Sequence, residues 1–136
     1  MNLLTSTIVL MSAERPEFDT LDNLHRTIEL ENLLLDGEFL YNYATGVWKG
    51  ATEHSFIIAL KPDGKQTDQV EFLAGLAKQF NQEAILVVST DRTAQLIYPA
   101  TGVTENLSGL FQSITAERAG LLDAYTEFKG GFYAVI

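Results

Sequence analysis

Between Thr5 and Thr90 the patterned segments of this chain run strand, helix, strand, strand, helix, strand. That order predicts an α+β fold, a ferredoxin-like βαββαβ antiparallel sheet with two helices on one face. Two further observations shape the expectation. The strands are apolar on both faces, whereas two helices cover only one, so a second surface must bury the other, and this points toward an oligomer. The tail beyond Pro99 ends in strand-like composition, and is read as a C-terminal β extension that widens the sheet or crosses to a neighbouring subunit.

The elements follow in order. Thr5–Ala13 is β-branched and apolar and reads as the first strand. Asp19 or Thr20 caps a helix that closes near Gly37. Leu21, Leu24, Ile28 and Leu35 form one stripe of that helix, and Leu30, Leu33 and Leu34 lie roughly opposite. Two apolar faces on one helix mean either deep burial or a subunit contact. Glu38–Tyr43 reads as a strand, Ala44–Thr52 as a glycine-bearing loop and His54–Leu60 as a third strand. Pro62-Asp63-Gly64 signals a turn. Thr67 caps a second helix with Val70, Leu73, Ala77 and Phe80 on one face. Ala84–Thr90 reads as a central strand buried on both sides, turning at Asp91-Arg92 into a hairpin partner, Thr93–Tyr98. Gly109–Ile114 and Gly131–Ile136 are the strand-like parts of the tail. Neither a repeat nor a linker divides the sequence, so residues 1–136 read as one domain.

Composition narrows the function. At 136 residues and 46% hydrophobic, the chain is long enough for a real core. It has no cysteine, which excludes disulfides and thiolate metal sites and favours a reducing, cytoplasmic setting. The opening Met-Asn-Leu-Leu lacks the cationic start of a signal peptide, and no apolar run approaches the roughly 18 residues that span a bilayer. Acidic residues outnumber basic ones 18 to 9, for a net charge of −9. Nucleic-acid binding is unexpected on that balance, because phosphates need lysine and arginine. The early concentration of acid, eight carboxylates against Arg15 and Arg26 in residues 1–40, fits either a soluble acidic protein or a mimic of DNA.

Catalytic equipment is sparse. His25 and His54 have no metal-ligand spacing, and Gly46-Val-Trp-Lys-Gly-Ala-Thr lacks the spacing and ending of a phosphate loop. What remains is a polar-aromatic cluster of Tyr41, Tyr43, Trp48, Lys49 and Glu53. An aromatic face beside a carboxylate can hold a planar base or a cation; it can equally plug a sheet edge.

A succession of short motifs over nearly the whole chain resembles the phage-encoded S-adenosylmethionine lyases, formerly described as hydrolases. They are Val9-Leu10-Met11-Ser12-Ala13, Asn23-Leu24-His25-Arg26, Gly46-Val47-Trp48 with Glu53, Gln82-Glu83-Ala84-Ile85-Leu86-Val87, Thr93-Ala94-Gln95-Leu96-Ile97-Tyr98, and Leu107, Gly109, Phe111 and Gln112. Trp48 stands where the family carries a tyrosine. The resemblance implies that S-adenosylmethionine is split into 5′-methylthioadenosine and homoserine lactone. It implies Glu53 and Trp48 as catalytic, and Ser12, Asn23, Arg26, Gln82, Glu83 and Tyr98 as substrate-binding. No metal or other cofactor is implied. It further implies a homotrimer with sites between subunits, acting against restriction in the host cytoplasm. The alternatives are a non-catalytic trimeric module that binds S-adenosylmethionine or a nucleotide, and an acidic DNA-mimic inhibitor.

Overall fold

The computed structural model describes residues 5–136; the first four, part of the stretch read for a signal peptide, lie outside the described residues. The elements are β1 (Ile8–Met11), α1 (Thr20–Asp36), β2 (Leu40–Trp48), β3 (Ala51–Ala59), α2 (Gln66–Gln79) and β4 (Ile85–Val88). There follow β5 (Ala94–Tyr98), β6 (Val103–Asn106), β7 (Phe111–Ile114), α3 (Ala116–Ala119), β8 (Tyr125–Phe128) and β9 (Gly131–Val135). The fold is α+β. Its strands form one curled sheet in the order β6-β5-β4-β1-β3-β2-β8-β9-β7, with every neighbouring pair antiparallel. The first six elements keep the expected order, and the tail extends the sheet. Among the described residues no helix is long and apolar enough to cross a membrane.

Period-two alternation divides the central strands between two cores. Val9, Met11, Phe56, Ile58 and Ile85 face the helices, where Leu30 and Leu34 of α1 and Leu73, Ala77 and Phe80 of α2 close over them. Ile8, Leu10, Ile57, Val88 and Ala94 face the other way and are covered by Phe111 and Phe128, with Leu107, Tyr133 and Val135 packed at the margin. The chain therefore buries its own second sheet face: β7–β9 curl over it. The oligomer argument drawn from two-faced strands does not hold, because the cover comes from this chain's tail.

Three local readings change. In α1 the stripe that packs inward is Leu30 and Leu34, at 0% exposure, whereas Leu21, Leu24, Ile28 and Leu35 are exposed. Asp19 caps this helix as expected, accepting from the Asp22 N–H. Gly37 ends it in a right-handed conformation, and the following Glu38 takes the left-handed one. The supposed loop Ala44–Thr52 is the outer part of a long hairpin, paired from Leu40↔Ala59 to Trp48↔Ala51. Lys49 and Gly50 both have positive φ, 51° and 79°, which is the two-residue turn that suits a twisted hairpin. The second helix starts at Gln66 with no side-chain cap, so Thr67 lies inside its first turn and does not cap it; the Asp63 carboxylate accepts from the Lys65 N–H just before it. β6, α3 and β8 had no counterpart in the sequence reading.

Candidate functional site

The curl leaves a cleft of about 1210 Å³ on its concave side. One wall is the end of β1 and the β2–β3 hairpin, the opposite wall is the loop into β4 with β5 and β6, and the floor is the second core. This exceeds the roughly 300–1,000 Å³ usual for a small-molecule site, so the cleft has room for a nucleoside with a flexible tail.

Glu53 lies on the hairpin wall. Its cross-strand neighbour is Gly46, and a Cβ there would stand 3.6 Å from the Glu53 Cγ; glycine thus leaves the space above the carboxylate open. Among the described residues no donor hydrogen-bonds that carboxylate. Burial, and to a lesser degree the nearby negative charge of Glu14, push its pKa from 4.5 to about 7. A cation entering the cleft meets a carboxyl that gains by ionising.

Glu14 was not anticipated from sequence, and several expected residues converge on it. Its side chain accepts from the His54 N–H at 2.6 Å and meets His54 Nδ1 at 2.9 Å. Its own N–H donates to Ser12 Oγ at 3.0 Å, and its carbonyl accepts from Gln82 Nε2 at 3.0 Å. Ser12 and Gln82 are both buried. Asn23 fixes the next residue, accepting from the Arg15 N–H and donating to the Arg15 carbonyl, each at 2.9 Å. Arg26 donates to the Ala13 carbonyl at 2.7 Å and to the Phe80 carbonyl, with its guanidinium 4.9 Å from the Phe18 ring centroid and 5.4 Å from that of Phe80. Ser12, Asn23, Arg26 and Gln82 together hold the segment from Ser12 to Arg15 against the cleft.

Ser12, Trp48, Glu53, Gln82, Glu83 and Tyr98 all line the large cleft. Asn23 lines a second recess of about 350 Å³ with Phe18 and His54, which shares Glu14 and Glu53 with the cleft, and Arg26 lines neither. Trp48 Nε1 donates to Glu83 Oε2 at 2.7 Å, and Lys49 pairs with Glu83 Oε1; these two donors hold the Glu83 carboxyl below its usual range. The Tyr98 hydroxyl donates to Glu105 at 2.8 Å, which raises its pKa. The polar-aromatic cluster read from sequence is split. Tyr41 and Tyr43 project to the helix side and donate to the Glu31 carboxylate, away from Trp48, Lys49 and Glu53. Alternation along β2 separates them, a consequence invisible while residues 44–52 read as a loop.

With this geometry in place, one comparison is decisive for kinship. The model of the S-adenosylmethionine lyase family matches residues 9–136, and the chain belongs to that family. No curated protein matches it.

Proposed function

We propose that this S-adenosylmethionine lyase family protein cleaves S-adenosylmethionine within the concave cleft, releasing 5′-methylthioadenosine and homoserine lactone. The observation that carries the reading is Glu53, a largely buried carboxyl on the wall of a large cleft with no donor among the described residues, in a chain with little other catalytic equipment. The substrate's own carboxylate oxygen forms a bond to its γ-carbon. The bond from that carbon to sulfur breaks, its electron pair stays on sulfur, and the sulfonium leaves as a neutral thioether. No proton moves, so neither a general acid nor a base is required. Catalysis then consists of folding the methionyl tail into near-attack geometry, an effect that supplies roughly 7–11 kcal/mol in favourable intramolecular cases.

Charge dictates where Glu53 acts. The sulfonium loses its charge in the transition state, so a carboxylate pressed on sulfur would favour the ground state and slow the reaction. Glu53 accordingly binds the substrate ammonium or ribose, and Trp48 covers the bound ligand. Ser12, Gln82, Asn23 and Arg26 act through the segment that carries Glu14, while Tyr98 and Glu83 border the cleft. The four central strands, in the order β4-β1-β3-β2, are the ferredoxin-like part. The assembly is a homotrimer, with the exposed α1 stripe as a contact surface. In a phage-infected cell, lowering S-adenosylmethionine in the cytoplasm would starve methyl-dependent restriction.

The test is mass spectrometry of the purified protein incubated with S-adenosylmethionine, beside Glu53→Gln, at short times. Methylthioadenosine with early homoserine lactone, lost in the variant, is the expected result. Binding with the substrate left intact would replace the enzyme by a sensing module. No binding would turn attention to the acidic surface.

A further inference from the structure

We propose that Glu83 is a positioning residue that holds the Trp48 indole across the mouth of the cleft, as a side-chain gate above the Glu53 end. The gate's part in turnover rests on the lyase reading; the geometry of the gate does not.

Trp48 and Glu83 come from opposite walls, the β2–β3 hairpin and the loop between α2 and β4. The hairpin backbone is fixed on its far side: Val47 pairs with Tyr125 in β8, and the Gly50 N–H donates to the Asp123 carbonyl at 3.0 Å. Among the described residues, the hydrogen bonds that join these two walls run between side chains. Both Glu83 oxygens are engaged, one by the indole N–H at 2.7 Å and the other by Lys49, whose ammonium lies 5.6 Å from the indole centroid. Trp48 stands two cross-strand pairs outward from Gly46 and Glu53, on the same face of the hairpin, so its ring borders the route to that carboxylate. The bridge is solvent-exposed, with Lys49 66% and Glu83 44% exposed. Exposed ion pairs of this kind bias an equilibrium by about fivefold at most. A bridge so weak opens and closes without disturbing the sheet, which distinguishes a gate from a brace. Because bond breaking uses the substrate's own carboxylate, releasing the gate should affect retention of substrate more than chemistry.

Trp48 is the only tryptophan, so intrinsic fluorescence reads the gate without any ligand. Glu83→Ala should raise acrylamide quenching about twofold and red-shift emission, with far-UV circular dichroism unchanged. Glu83→Gln should restore quenching toward the native level, because its amide oxygen still accepts from the indole. With S-adenosylmethionine, Glu83→Ala should raise KM about threefold to tenfold and change kcat less. Unchanged quenching in Glu83→Ala, or a Gln variant as exposed as the Ala one, overturns the gate. Absence of turnover by the native protein overturns the lyase reading instead, and the quenching result still decides whether Glu83 holds Trp48.

Discussion

Glu53 is costly to the fold. Its pKa of about 7, against 4.5 ordinarily, arises first from burial and then from Glu14. The folded chain thus binds more protons here than the unfolded chain between those values. The sign follows: stability falls as pH rises from about 4.5 through 7 and stays lower above. A shift of this size corresponds to about 3 kcal/mol at most. Glu53→Gln keeps the shape without the charge, so urea unfolding at pH 8 should find the variant more stable by about 2–3 kcal/mol, the gain vanishing below pH 5. A variant no more stable than the native protein at pH 8 would remove burial as the cause. The same residue predicts a pH-dependent affinity. A cationic ligand favours the ionised carboxyl, so binding of S-adenosylmethionine should release a proton near neutrality and tighten as pH rises through about 7. Calorimetry in buffers of different ionisation enthalpy measures that release directly; no proton exchange would separate Glu53 from the ligand. Sequence pointed to Glu53 and Trp48 as part of the polar-aromatic cluster, and the resemblance alone gave them a catalytic role. Glu14 carried no signal, because its partner His54 lies 40 residues away and the pair exists only once β3 lies beside the end of β1.

At the scale of elements, the helices and central strands were legible because burial imposes their periods. Val70, Leu73, Ala77 and Phe80 do face the core, three of them buried and Val70 packed at its edge. The hairpin was not legible because Gly46 reads as a loop residue, yet it sits within a strand opposite Glu53. β6 escaped because all four of its residues are exposed and leave no apolar alternation. The tail's closure depends on another glycine. Gly109 has φ +95°, and a Cβ there would lie 2.3 Å from the Ile136 carbonyl carbon. Leu110 and Ile136 exchange backbone hydrogen bonds at 2.9 and 3.1 Å just beside it, fastening the chain end to β7 over the second core. Gly109→Ala must break that clasp or strain the backbone, and should cost about 3 kcal/mol or more by denaturant unfolding. The loss should exceed that of Gly64→Ala, where φ is +77° and nothing lies within 4 Å of the new Cβ. Equal losses would mean that backbone strain alone, and not the clasp, sets the cost.

For the whole molecule, self-coverage of both sheet faces moves the question of assembly from the strands to α1. Leu30 and Leu34 satisfy the core, whereas the opposite stripe of Leu21, Leu24, Ile28 and Leu35 stays between 47% and 59% exposed and adds little to the core of one chain. Four large apolar side chains aligned on one helix face form the kind of patch that marks a contact surface. If a homotrimer buries this stripe, charge there should separate association from folding. Leu24→Glu and Ile28→Glu each place a carboxylate where the single chain meets solvent, so monomer stability should change by only about 0.5 kcal/mol. In the trimer the same charges lose water without a partner, a penalty counted three times around the ring. Light scattering at micromolar concentration should return three times the chain mass for the native protein and a single chain for the double variant, with circular dichroism unchanged. If the cleft is completed by a neighbouring subunit, specific activity of the native protein should also fall on dilution through the dissociation range. A native protein that scatters as one chain would sink the trimer and leave the cleft to work within a single subunit.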